Sequence, residues 1–234
     1  MMAVRDMVIL PRRPRETSND YAMRILYDNI IRLVLEPGEV LNDNQIASML
    51  GISRTPVREA FMCLRFQRLI NSYPQSHSCI SKINLDYVDE GIFMRHALET
   101  HVLEEAVFKA SSSDLARLQN SLNQQNEAIS HKDSKDFIIR DQEFHKTLFQ
   151  IVEKPWCWDS LQQITTHHRR ICQLVVSLGD DNAEMRVPYN EHRQIYDMII
   201  SRNLPQDIKH FMLRHIGYRR LLPILLNQYP SYFE

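Results

Sequence analysis

Glycine is scarce in this sequence, with only five among 234 residues, at positions 38, 51, 91, 179 and 217. Sheet-rich folds depend on tight turns with positive φ, which glycine adopts most easily. The scarcity therefore argues against a β-rich or α/β protein. Apolar residues recur instead at helical spacing, for example in the segment YAMRILYDNIIRLVL. These patterns together predict a mainly α-helical fold.

Two further absences narrow the class of protein. The four cysteines form no CxxC pair, which favours reduced thiols in a cytoplasmic protein over a disulfide framework. No apolar run approaches the ~20 residues that span a membrane, so we expect no membrane partner. Residues 1–20 lack an apolar stretch followed by a small-residue cleavage site. We interpret them as a flexible N-terminal arm.

A strong excess of charge of either sign is missing too, because the formal net charge is −1. The distribution is uneven: residues 1–82 hold 11 Lys and Arg against 8 Asp and Glu, and the remainder holds 17 against 21. This split permits a basic nucleic-acid-binding module on an acidic body, but the asymmetry is too small to indicate one by itself.

Residues 21–83 contain the segment that points most clearly to a function. Periodicity and turn residues predict a helix, a short second helix ending at Leu50, a turn at Gly51, a third helix capped by Ser53, and a small hairpin around PQSHS. This order is that of a winged helix-turn-helix, whose second paired helix lies in the DNA major groove. We therefore expect a DNA-binding domain here.

The start of the third helix carries groups that suit DNA. The hydroxyls of Ser53 and Thr55 suit phosphate oxygens. Arg54 and Arg58 share one face and can bond phosphates or guanine edges through two parallel hydrogen bonds. On spacing alone, a capped surface helix with solvated arginines explains the pattern equally well.

The stretch EPGEVLNDNQIASMLGISRTPVREAFMCLRFQRLI closely resembles the DNA-binding domain of the GntR superfamily of bacterial transcription regulators. The resemblance covers residues 21–83 and implies DNA contacts by Arg54, Thr55 and Arg58, with the wing in the minor groove. The wing itself departs from the family pattern P-x-R-G, because it reads Pro74-Gln75-Ser76-His77. His77 is the remaining candidate for a wing donor, and we expect the wing to contribute less than is usual.

Residues 84–234 consist of long helical segments with short connections, which predict an antiparallel all-α bundle. Asp141 and His145 lie one helical turn apart, and His192 and His215 lie on two later segments. One carboxylate and three imidazoles suit a divalent metal such as zinc, nickel or manganese. The chain has ten histidines, however, and each one taken singly is more often a structural residue than a ligand.

This second region looks like the FCD ligand-binding domain of the FadR-like branch of the same superfamily. The family motifs D-x-x-x-H, EH and M-x-x-H correspond to Asp141/His145, Glu191-His192 and Met212/His215. The resemblance implies that Asp141, His145, His192 and His215 bind the metal. It also implies that a small organic acid occupies the open coordination positions.

Arg95 matches a family arginine near the effector pocket, so the resemblance implies that its guanidinium holds the carboxylate of the effector. An ordinary helix salt bridge between Arg95 and Glu99 is nearly as good an explanation. His167, His168 and Arg169 are weaker candidates for the same cavity.

The two regions together predict a bacterial transcription regulator, a homodimer that binds palindromic double-stranded operator DNA and responds to a small carboxylate. One alternative is a metal-responsive regulator for which the ion itself is the signal. A less favoured alternative is an Asp/His3 metallohydrolase. That chemistry needs a general base beside the metal. Glu191 is a poor candidate for this base, because it directly precedes His192 and adjacent residues of a helix point in different directions.

Overall fold

The structure is a computed structural model that describes residues 7–73, 77–178 and 183–234. The chain forms two compact units. The first contains the residues up to Leu85 together with Leu226–Glu234, and the second contains Asp86–Leu225. The predicted mainly α-helical class, with a winged helix-turn-helix followed by a helical domain, is confirmed.

The first unit combines three helices with a small sheet: α1 (Ser18–Ile31), β1 (Val40–Leu41), α2 (Asp43–Leu50), α3 (Arg54–Phe66), β2 (Ile70–Ser72) and β3 (Ser78–Ile80). The strand order is β1-β3-β2, and both pairs are antiparallel. Its core is aliphatic, with Leu26, Ile46 and Val57 fully buried where the three helices meet. The first residues of α3 lie outside this core and are exposed to solvent.

Turn chemistry sets the angle between α2 and α3. Asn42 caps α2 by accepting a hydrogen bond from the Gln45 backbone N–H at 3.1 Å. Gly51 ends that helix with a φ of 65°, a left-handed conformation that favours glycine. Ser53 has the extended backbone of an N-cap, but its side chain makes no capping hydrogen bond. Ser53 therefore occupies the predicted N-cap position, but the predicted capping hydrogen bond is absent and the side chain is exposed.

The described part of the predicted N-terminal arm lies against α1. Val8 and Asn29 exchange two hydrogen bonds, from Val8 N–H to Asn29 Oδ1 at 2.8 Å and from Asn29 Nδ2 to Val8 O at 3.0 Å. Glu16 forms a two-point ion pair with Arg24, at 2.6 and 2.8 Å. These contacts anchor residues 7–17, whereas the sequence suggested a flexible segment.

The C-terminal residues complete the first unit, although the sequence suggested that they belong to the second domain. Ile83 N–H donates to Tyr232 O at 2.7 Å, and Glu234 N–H donates to Ile83 O at 3.2 Å. The Phe233 side chain is buried. The chain therefore crosses between the two units twice, near Leu85 and again within the last helix.

The second unit is built from helices alone among its described residues: α4 (Leu85–Lys109), α5 (Ser112–Ser130), α6 (Ser134–Ile151), α7 (Pro155–Ile164), α8 (Thr166–Val176), α9 (Ala183–Ser201), α10 (Ile208–Ile216) and α11 (Leu222–Gln228). A short 3-10 turn at Pro230–Tyr232 follows in the first unit. Helix α5 packs against both α6 and α9. None of the described helices is both long and apolar enough to cross a membrane.

The sequence predicts one helix over PWCWDSLQQITTHHRRICQLVVSL and another over LPQDIKHFMLRHIGYRRLLPILL, but each of them is divided in two. The first divides at Thr165, whose side-chain hydroxyl and backbone N–H both donate to Leu161 O. Gly91 of α4 passes close to this junction, since a Cβ there would lie 3.4 Å from Thr165 Cα. The second divides at Gly217, whose extended backbone ends α10.

Candidate metal centre and nucleic-acid interface

Three imidazoles from three helices converge in the second unit. His145 lies on α6, His192 on α9 and His215 on α10. His145 Nε2 is 3.2 Å from His192 Nε2 and 3.4 Å from His215 Nε2. Asp141 Oδ1 lies 3.6 Å from His192 Nε2. The structure therefore brings together the three histidines that were predicted as metal ligands, and it places the predicted ligand Asp141 beside His192.

The opposite ring nitrogen of each imidazole faces an oxygen acceptor. His192 Nδ1–H donates to Gln125 Oε1 at 2.8 Å, and His215 Nδ1–H donates to Glu191 Oε2 at 2.9 Å. His145 Nδ1 lies 2.9 Å from Glu99 Oε2, but this contact lacks hydrogen-bond geometry. A carboxylate oxygen at that distance still favours the proton on Nδ1, so each of the three Nε2 atoms presents a lone pair to the common centre.

Such lone pairs repel one another at 3.2 to 3.4 Å unless a cation or a proton lies between them. Neutral imidazole nitrogens beside a carboxylate are a donor set that suits zinc, nickel or manganese. The candidate ligand atoms of the three histidines all lie within 4.8 Å of one another. The residues present therefore fit a divalent metal.

The environment keeps His192 and His215 neutral. Burial, followed by the neighbouring His215 and His145, lowers the pKa of His192 well below 6.5. Burial also lowers the pKa of His215, although its hydrogen bond with Glu191 acts in the opposite direction. Nearby His168 has its pKa lowered to about 3, by burial and then by the charge of Arg95. Metal ligation requires neutral imidazole, so this electrostatic setting favours it.

Arg95 and Glu99 form a buried ion pair beside the histidines. Arg95 Nε is 2.6 Å from Glu99 Oε1, and Arg95 Nη2 is 3.1 Å from Glu99 Oε2. Burial alone would raise the pKa of Glu99, but the charge of Arg95 holds it well below its usual range. The helix salt bridge considered from the sequence is thus present, while Arg95 also lines the cavity described next.

A cavity of about 510 Å³ opens beside the cluster, a size that suits a small ligand. Arg95, Asp141, His145 and His215 all line it. His168, a weaker candidate from the sequence, lines it as well, with Nε2 at 3.0 Å from Ile216 O. His167 and Arg169, the other weaker candidates, are not among the lining residues.

Sequence reasoning missed the three oxygen acceptors. The sequence argued against a role for Glu191 next to His192. In the structure, Glu191 instead accepts a hydrogen bond from His215 on α10. Gln125 is 67 positions from its partner His192, and nothing local marks it. Glu99 was considered only as a partner of Arg95.

The N-terminal end of α3 presents the predicted DNA-contacting side chains to solvent. Ser53, Arg54, Thr55 and Arg58 are all exposed. Both arginines contact Asp43 of α2, at 2.6 Å from Arg58 Nε and 3.2 Å from Arg54 Nη2. Exposed ion pairs are weak, so DNA phosphates can replace Asp43 as the partner of either guanidinium.

The hairpin is described only in part. Tyr73 N–H donates to His77 O at 2.9 Å, and the two rings lie with centroids 5.2 Å apart. His77 is exposed. The predicted departure at Pro74-Gln75-Ser76 lies outside the described residues.

Comparison with known protein families supports the identification of both predicted domains. Residues 21–77 match the bacterial regulatory proteins of the gntR family, and residues 90–218 match the FCD domain. This chain belongs to the gntR family and carries an FCD domain. The HTH-type transcriptional repressor RspR of Escherichia coli (strain K12) is 34% identical over 151 residues. That alignment covers 64% of this chain and 66% of the repressor, just under two thirds of its length.

One further relative and one solved structure are similar to this chain. The gluconate operon transcriptional repressor of Bacillus subtilis (strain 168) is 27% identical over 149 residues, which cover 61% of this chain and 60% of that protein. The solved structure of E. coli McbR/YncC has the same fold, with a TM-score of 0.75 at 21% identity over 91% of this chain and 99% of that one. The two named repressors are transcription regulators rather than enzymes, and the metallohydrolase alternative loses its support.

We expect the metal-free protein to lose stability as the pH falls from 7 to 5. His168, His192 and His215 are neutral in the fold, whereas in the unfolded chain they take up protons below about pH 6.5. The loss should continue toward the folded pKa of about 3 for His168. Urea unfolding in chelator at both pH values measures it.

The exposed His210 provides a matched control for this experiment. His168→Gln should show a shallower loss of stability on acidification than the wild type, while His210→Gln should behave as the wild type does. A wild type that is equally stable at both pH values would contradict the assignment.

Proposed function

We propose that this protein is a transcription regulator whose operator affinity is controlled by a small carboxylate bound at a metal centre in the FCD domain. One observation carries the proposal: three Nε2 lone pairs meet beside a cavity, on the same chain as a winged helix-turn-helix. The two named repressors among its relatives support repression as the sign of control.

The DNA contacts are assigned to the exposed start of α3. Arg54 and Arg58 supply the cations, Ser53 and Thr55 supply hydroxyls for phosphate oxygens, and His77 supplies a donor at the wing. The protein would act in the cytoplasm, where operator DNA is found. A homodimer would match a palindromic operator, with one recognition helix in each half-site. The exposed Phe93 and Phe108 on α4 are consistent with a subunit interface.

The metal is assigned to Asp141, His145, His192 and His215. A bound divalent ion would supply open coordination positions and positive charge for an organic carboxylate. The residues of the chain do the remaining work: Glu99, Gln125 and Glu191 orient the imidazoles, and Arg95 adds a second cation to the cavity wall. Effector binding would shift the population between two states with different operator affinity.

One observation favours the metal-responsive alternative. The guanidinium of Arg95, the side chain assigned to the effector, is already paired with Glu99 through two contacts. In that alternative the metal ties α6, α9 and α10 together and is itself the signal. Operator binding that depends on the metal but not on any carboxylate would favour it.

Arg58→Ala should weaken operator binding and make the slope of log affinity against log salt shallower by about one unit, because one phosphate contact no longer releases a counterion. Arg65→Ala removes the same charge from an exposed site near the opposite end of α3 and is the matched control. Fluorescence anisotropy titrations at two salt concentrations measure both. Equal losses in the two variants would reject the assignment.

Protein purified without a histidine tag should contain one divalent metal per chain by elemental analysis, and His145→Ala/His192→Ala should contain none. Metal removal should also lower the melting temperature, because the ligands come from separate helices. His210→Ala, which removes an exposed histidine of α10, should keep the metal. Equal metal content in the double variant and the wild type would end the metal hypothesis, as would its absence from the wild type after reconstitution.

A further inference from the structure

The geometry points to an effector with an apolar body: a monocarboxylic acid whose chain is aliphatic or aromatic, rather than a sugar acid or a dicarboxylate. This inference rests on the proposed function, because it names the class of acid that occupies the cavity beside the metal centre. It follows from how the lining residues are arranged along the helices.

The polar and apolar residues of the cavity wall lie in layers. On α4, Arg95, Ile92 and Asp89 line the cavity at intervals of three residues, so they follow one another along one face of the helix. On α9, Glu191, Val187 and Glu184 line the cavity at intervals of four and three residues, so they also share one face of their helix. Both helices therefore present a polar layer at the metal centre, an apolar layer in the middle and a second polar layer beyond it.

The middle layer is completed by α6 and α8. Ile138 precedes Asp141 by one turn, and Ile171 and Val175 follow His168 along α8. None of these side chains offers a hydrogen bond. The Cys172 thiol beside them is uncharged at neutral pH, since burial raises its pKa to about 12. Hydroxyl groups of a ligand in this layer would lose their hydrogen bonds to water without replacement, a cost that apolar carbons do not have.

The outer polar layer does not call for a second anionic group on the ligand. Arg219 Nη2 lies 2.6 Å from Asp89 Oδ2, and Arg220 Nη2 lies 3.0 Å from Glu184 Oε2. Both arginines are exposed, so these ion pairs are weak and present no barrier to a ligand. Each arginine charge is nevertheless balanced by a carboxylate of the chain, so the outer layer has no excess positive charge that would favour a second carboxylate over the end of an apolar chain.

The spacing of the layers sets the length of the ligand. Arg95 and Asp89 are six residues apart on α4, which corresponds to about 9 Å along a helix. This distance accommodates a short chain between the metal centre and the outer ion pairs.

Two acids with the same number of carbons test the inference. 2-Hydroxyhexanoate and gluconate share the carboxylate and the 2-hydroxyl that would contact the metal, and they differ in the hydroxyls on the distal carbons. Calorimetric titration of the full-length, zinc-reconstituted protein should show 2-hydroxyhexanoate binding roughly tenfold tighter or more. Val175→Thr/Val187→Thr should reduce that preference, because the new hydroxyls keep the shape but make the middle layer polar. Val40→Thr, at an exposed valine of the first unit, should leave it unchanged.

The outcomes separate this inference from the proposed function. Zinc-dependent binding of gluconate that equals or exceeds that of 2-hydroxyhexanoate would overturn the apolar effector and leave the metal-carboxylate centre in place. A preference unchanged in Val175→Thr/Val187→Thr would also overturn it. If neither acid binds the zinc-loaded protein, the control by a metal-bound carboxylate fails, and this inference fails with it.

Discussion

The mutual approach of three imidazole nitrogens is the constraint on which the second unit depends. His145 Nε2 lies within 3.4 Å of the corresponding atoms of His192 and His215, and such an arrangement is unfavourable without a shared cation or proton. The fold maintains it through oxygen acceptors on the far side of each ring. These acceptors come from α4, α5 and α9, so positioning three nitrogen atoms involves most of the bundle. Ligand geometry and bundle packing are therefore coupled, which is how binding in the cavity would alter the arrangement of helices.

The proposed DNA-binding surface of the first unit is held by ion pairs within the unit. Asp43 holds both Arg54 and Arg58, and burial alone would raise the pKa of this carboxyl, whereas the hydrogen bonds from the two arginines lower it. The arginines are thereby oriented on the exposed end of α3 before any phosphate arrives. Because surface ion pairs contribute little, exchanging Asp43 for phosphate costs little.

Local patterns allowed the element types to be predicted, because helical periodicity is a property of short segments. The i,i+4 spacing placed Asp141 beside His145, but His192 and His215 were selected among ten histidines by the resemblance to the FCD domain. Helix breaks at Thr165 and Gly217 escaped prediction, since the first depends on the close approach of α4 and the second on a single backbone conformation. The acceptors Gln125 and Glu191 also escaped, because their partners lie on other helices. Their placement is a property of the tertiary fold, and no short sequence pattern records it.

The affinity of the centre for zinc in Gln125→Leu tests the account most directly. Gln125 Oε1 accepts the Nδ1 proton of His192, and its Nε2 donates a long hydrogen bond to Arg140 O at 3.4 Å. If that hydrogen bond sets the direction of the lone pair, chelator competition should show zinc affinity about 10- to 100-fold weaker than in the wild type. Gln119→Leu, at an exposed position on the same helix, should bind zinc as the wild type does. Unchanged affinity in Gln125→Leu would contradict the account.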